Sequence, residues 1–179
     1  PNIRHMRVFV ETARTGSVST AAELCHLSQP AASQAVAGLE TYFGTPLFIS
    51  NRQRSALTTC GILVERRTRA AMKHLRDGAK NALREASNKE VHRQTFELSV
   101  TASQLRNLIA IANAGSFTVA ARTLGLSQPT IHRAARNLEA IAGTPFFTAR
   151  ASGVRLTAAA DAFMRGAKLA QNEIRQAVE

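Results

Sequence analysis

Cysteine is nearly missing from this chain: Cys25 and Cys60 are the only two in 179 residues. That excludes a disulfide scaffold, and neither lies in a C-x-x-C or C-x-x-H spacing that would mark a zinc site. Acid is scarce too, with twelve Asp and Glu against twenty-three Lys and Arg and a formal net charge of +11. Such a field favours polyanions, nucleic acid first and anionic membrane second. No apolar run approaches the length of a bilayer span, and the N-terminus, PNIRHMRVFVE, lacks the uninterrupted apolar stretch of a signal peptide. The chain therefore reads as soluble and cytoplasmic, with no membrane partner. The five histidines (His5, His26, His74, His92, His132) are scattered, and no G-x-S-x-G elbow, phosphate loop or H-E-x-x-H helix occurs. No metal, no cofactor and no enzyme is expected.

What is present is a phrase written twice. LSQPAASQAVAGLE runs from Leu27 to Glu40 and LSQPTIHRAARNLE from Leu126 to Glu139. The same offset superposes Gly16-Ser17 on Gly115-Ser116, Gly44-Thr45-Pro46 on Gly143-Thr144-Pro145, Phe48 on Phe147, and Leu57-Thr58 on Leu156-Thr157, without a gap. A repeat this long exceeds a solenoid unit and means two copies of a small domain. With 45% hydrophobic residues there is enough apolar material for a core in each.

Both copies read alike. Ile3, Met6, Phe9, Val10 and Ala13 follow helical spacing up to Gly16, as Leu105, Leu108, Ile109 and Ala112 do before Gly115. Ser19 and Thr118 are expected to cap a second short helix, whose small pairs Ala21-Ala22 and Ala120-Ala121 let a neighbour approach. After a brief turn, Ser28 and Ser127 cap a third helix with Pro30 or Pro129 in its first turn, where a missing N–H costs little. It is expected to run to about Tyr42 and Ile141 and to end at Gly44 and Gly143. Two short helices, a tight turn and a longer helix form the pattern of a helix-turn-helix.

On the third helix the inner face reads Ala32, Val36, Leu39 and Phe43 in copy one, and Ile131, Ala135, Leu138 and Ala142 in copy two. The outer face carries Gln29, Ser33, Gln34, Ala37 and Gly38, against Gln128, Thr130, His132, Arg133, Arg136 and Asn137. These are uncharged or basic hydrogen-bonding groups suited to phosphates and to base edges in a major groove. PLFISNRQRSALT and PFFTARASGVRLT then suggest a two-stranded wing with a basic tip, bringing Arg52 and Arg54, or Arg150 and Arg155, to a phosphate or the minor groove. Thr58 and Thr157 are expected to cap a fourth helix. In copy one it extends to Ala86, with an apolar stripe of Ile62, Ala70, Ala71, Leu75, Ala79, Ala82 and Leu83 that needs a partner. The expected fold is mainly α: two tandem winged helix-turn-helix domains, at 1–86 and 101–179, each with a long C-terminal linker helix, joined by a connector over 87–100.

This ordered string resembles the DNA-binding half of LysR-type transcriptional regulators: a GS pair before a double alanine, LSQP opening the recognition helix, LE near its end, G-x-P-L-F, then LT before the linker helix. The resemblance implies a sequence-specific double-stranded DNA-binding regulator with recognition helices at 28–42 and 127–141. In the family, linker helices dimerise antiparallel and a small-molecule-sensing domain follows. Here the motif is duplicated and no effector domain is present. The start at Pro1 without Met and the stop at Glu179 in mid-helix suggest a fragment, so an effector enters only if a sensing domain lies outside this chain. The family's Arg after the Ser of the recognition helix is Gln34 in copy one and Arg133 in copy two. Its second Arg, two residues after the Phe of L-F, is Ser50 and Ala149. Copy one is therefore expected to grip DNA less strongly. Either an intramolecular pseudo-dimer or a homodimer through linker helices would bring reading heads together. A non-specific architectural protein, and a regulator in which one copy serves only dimerisation or protein interaction, are the competing readings.

Overall fold

A computed structural model of the chain describes residues 1–49, 55–84 and 96–178. Copy one contains α1 (Ile3–Thr15), α2 (Val18–Leu24), α3 (Gln29–Phe43), β1 (Phe48–Ile49), β2 (Ala56–Leu57) and α4 (Thr59–Ala82). Ahead of copy two lies a short helix α5 (Phe96–Ser99). The copy itself contains α6 (Ala102–Ala114), α7 (Phe117–Leu124), α8 (Gln128–Ala142), β3 (Phe147–Arg150), β4 (Gly153–Leu156) and α9 (Ala158–Gln176). The chain divides into two compact units, one made of Pro1–Lys73 with Leu169–Glu179, the other of His74–Lys168.

The helix boundaries follow from side chains that satisfy backbone groups. Gly16 and Gly115 end α1 and α6 in the left-handed region, and their N–H groups donate to Thr12 O and Ile111 O. The next helix starts at once, so its cap is Ser17 or Ser116, accepting from Thr20 N or Val119 N. Ser19 and Thr118 are not the caps that spacing suggested, because a left-handed glycine reverses the chain sooner than a helical wheel implies. Ser28 and Ser127 cap α3 and α8 as expected, with proline in the first turn, and those helices end at Gly44 and Gly143. The turn between α2 and α3 differs between copies. Gly125 takes φ 64° there, whereas copy one places His26 at φ 54°, the one described non-glycine residue with positive φ.

Each three-helix core closes on its recognition helix. Val8, Ala22, Ala32, Ala35 and Val36 pack together in one copy, and Ile111, Ala120, Ala121, Ile131 and Ala135 in the other. Phe43 is only half-buried, while Ala35 lies fully inside. The double alanines are buried beneath their neighbours, as a close helix approach requires. The wings are antiparallel hairpins, pairing Phe48 with Leu57 and Phe147 with Leu156. Ser55 N donates to Gly16 O at 2.9 Å and Val154 N to Gly115 O at 2.8 Å, tying each wing to the end of its first helix.

Of the stripe expected on α4 and its end, Ala71, Leu75, Ala79, Ala82 and Leu83 are buried, joined by Val64, Thr68 and Gly78, whereas Ala70 is half-buried and Ile62 lies outside at 59% exposure. On α9 the buried positions Ala160, Phe163, Ala167, Ala170 and Ile174 recur at steps of three and four. Steps of three and four residues are those of a helix that packs one face along a partner helix. The described part of the segment expected as a connector begins with α5. Phe96 is fully buried, 4.8 Å from the Phe163 ring and 6.0 Å from Phe146 between centroids. Residues 85 and 86 lie outside the described residues, so α4 is followed only to Ala82.

Candidate nucleic-acid interface

The recognition helices expose one side and bury the other. Gln29, Pro30, Ser33, Gln34, Ala37 and Gly38 are exposed on α3, with Ser28 ahead of it. On α8 the exposed set is Gln128, Pro129, Thr130, His132, Arg133, Arg136 and Asn137, behind Ser127. A helix held by Leu39 or Leu138 from below can present this face to a groove without loss of core. The serines play a local role first: Ser28 Oγ accepts from Ala31 N at 3.4 Å and Ser127 Oγ from Thr130 N at 3.3 Å. Ser127 Oγ also lies 2.7 Å from Thr130 Oγ1. The first-turn N–H groups and the positive end of the helix dipole make this a favourable place for a phosphate oxygen.

Two glutamates that sequence reasoning left among motif letters hold the site's shape. Glu40 Oε1 accepts from Leu47 N at 2.8 Å and Phe48 N at 3.4 Å. Glu139 Oε1 does the same for Phe146 N at 2.9 Å and Phe147 N at 3.1 Å. Each carboxylate thus ties the end of the recognition helix to the start of the wing. Recurrence of LE at one offset was the available signal. Thr58 and Thr157 fasten the wing's other end, donating to Pro46 O and Pro145 O and accepting from Gly61 N and Ala160 N as helix caps.

In copy two the wing register sets Arg155 opposite Thr148 and Arg150 opposite Gly153, so both arginines share the face away from Phe147 and Val154, which pack on the core. Arg52 and Arg54 lie outside the described residues. Among the described residues no group of three or more His, Cys, Asp or Glu side chains could hold a metal, and no helix is long and apolar enough to cross a membrane.

A model for bacterial regulatory helix-turn-helix proteins of the LysR family matches residues 3–62 and again 102–161. The chain belongs to the LysR family. The HTH-type transcriptional regulator GalR of Pseudomonas putida is 30% identical over 175 residues, which is 98% of this chain and 42% of that protein. The regulator BudR of Klebsiella aerogenes is 43% identical over 63 residues, 35% of this chain and 44% of that protein. This chain therefore spans less than half the length of both. Among solved structures, a complex of the CbnR DNA-binding domain with DNA is 41% identical, covering 37% of this chain and 76% of that one at a TM-score of 0.36.

Within this LysR-family frame the two copies offer different electrostatics. On α3 the described outward residues carry no charge. On α8, Arg133 stands exposed with no ion-pair partner among the described residues. Arg136 keeps 83% of its side chain exposed and sits 3.9 Å from Glu139. His132 is held differently: its ring lies 4.1 Å from that of Phe117, which in turn meets Phe147 edge-on at 5.6 Å. That stack fixes the imidazole at the junction of recognition helix and wing. The same offset gives Glu23 on α2 but Arg122 on α7, both exposed, extending the contrast beyond the reading helices.

Proposed function

We propose that this chain is a sequence-specific double-stranded DNA-binding transcriptional regulator of the LysR type, acting in the cytoplasm. Recognition helices α3 and α8 enter the major groove. The observation that carries this is a capped, one-sided helix with exposed hydrogen-bonding residues, built twice on the same plan. Gln29, Ser33 and Gln34 in copy one, and Gln128, Thr130, His132, Arg133, Arg136 and Asn137 in copy two, contact base edges and nearby phosphates. Ser28 and Ser127, with Pro30 and Pro129 shaping the first turn, receive backbone phosphates. Arg150 and Arg155, and in copy one Arg52 and Arg54, reach phosphates or the minor groove of the duplex. The functional modules are 1–86 and 101–179, and copy two supplies more of the affinity. No catalytic step enters this reading. A small-molecule effector would belong to a sensing domain outside this chain.

Selection of bound duplexes from a random pool tests the reading. A defined, asymmetric consensus is expected, with binding that weakens steeply as salt rises. Equal retention of all sequences would instead favour an architectural role. The neutral face of α3 favours one secondary reading, that copy one serves mainly assembly. In that case the selected site would be a single half-site, unchanged when Gln29, Ser33 and Gln34 are replaced by alanine.

A further inference from the structure

The repeat aligns Arg67 with Gly166, His74 with Glu173 and Gly78 with Ala177. Within the unit that holds the start of α4 and the end of α9, Arg67 Nη1 donates to Glu173 Oε2 at 2.9 Å, with the two side chains 31% and 19% exposed. Arg67 Nε is buried beside this contact with no hydrogen-bond partner, so the guanidinium is sunk between the helices rather than swinging in solvent. Within the other unit the equivalent meeting is Gly166 on His74. A Cβ added to Gly166 would come within 2.5 Å of His74 O and 2.9 Å of Gly78 Cα, so the two backbones touch there. Two contacts that the repeat makes equivalent are thus solved by opposite means, a charge pair in one unit and bare backbone in the other.

Neither solution survives if like pairs with like. An α4 laid on a second α4 in this register sets Arg67 opposite His74 and drives its side chain toward Gly78. An α9 laid on a second α9 in this register sets Glu173 opposite Gly166 in place of Arg67. We propose that α4 and α9 are a mutually selective pair that closes within one chain, so that the seam each carries is occupied by the other and is withheld from a second copy. This rests on the two-headed reading above and makes it intramolecular, with both heads supplied by one polypeptide. Heterotypic pairing chosen by charge and by residue size at seam positions is an established way to fix coiled-coil partners.

Sedimentation and thermal melting of the full chain, without DNA, test this separately from DNA recognition, which the selection experiment reads. The wild-type chain is expected to hold a one-chain mass of 19.3 kDa across the micromolar range. Arg67→Glu faces Glu173 with a like charge, and Glu173→Arg faces Arg67 likewise. Each is expected to melt about 2–4 °C lower, and the double substitution, which restores opposite charges, to recover most of the loss. A wild-type mass that rises to a dimer with concentration would overturn the proposal. So would single effects that simply add in the double variant.

Discussion

On α3 the outward positions are Gln29, Ser33, Gln34 and Ala37, and on α8 the equivalent ones are Gln128, His132, Arg133 and Arg136. Directly beneath them almost nothing has changed: a serine cap, a proline in the first turn, a buried leucine, a glutamate tied to the wing and a left-handed glycine recur in both. The residues that hold the helix in place are the ones whose loss would leave a cavity or an unpaired N–H. Exposed positions cost little to vary, so the outward chemistry of the two heads can diverge while their frames stay alike.

The comparison breaks first if the frames are not equally built. Leu39→Ala and Leu138→Ala, both at fully buried positions, are each expected to destabilise their copy by about 2–5 kcal/mol in urea unfolding. Markedly unequal losses would mean that the cores are less alike than their shared residues imply. Next come the glutamate ties. Glu40→Ala and Glu139→Ala strand two wing N–H groups each and should cost about 1–3 kcal/mol, read by the same unfolding curves.

The outward faces are sharpened by binding. Replacing Arg133 and Arg136 together by alanine should weaken DNA binding by about 1–3 kcal/mol in anisotropy titrations at fixed salt, and flatten the salt dependence. Gln34→Ala in copy one should change affinity several-fold less. An equal loss from both heads would refute the inequality. The smallest effect concerns the turn. His26→Gly relieves a left-handed side chain and should stabilise copy one by up to about 1 kcal/mol, whereas Gly125→Ala should destabilise copy two by a similar amount in thermal melts.

Helix starts and stops were legible wherever a residue has one physical use. Ser28, Ser127, Gly44 and Gly143 could be read directly because a side-chain oxygen must meet orphan N–H groups and a left-handed residue must end the turn. Ser19 and Thr118 misled because Ser17 and Ser116 were equally good caps, and only the abruptness of the preceding glycine turn selects between them. Glu40 and Glu139 were visible as a repeated letter, but their partners lie seven and eight residues on, across a bend. Phe96 lies ahead of the stretch over which the two copies align, so the repeat could not reveal its burial.

By itself the sequence determined that the chain holds two copies of one domain, where their recognition helices begin and end, and which side of each faces outward, because caps and periodicity act over a few residues. The tertiary structure alone decided which carboxylate secures which wing, that the last turns of α9 belong with the first copy, and that Arg67 meets Glu173 while Gly166 meets bare backbone. Those depend on two distant segments occupying one volume, and no local spacing encodes that.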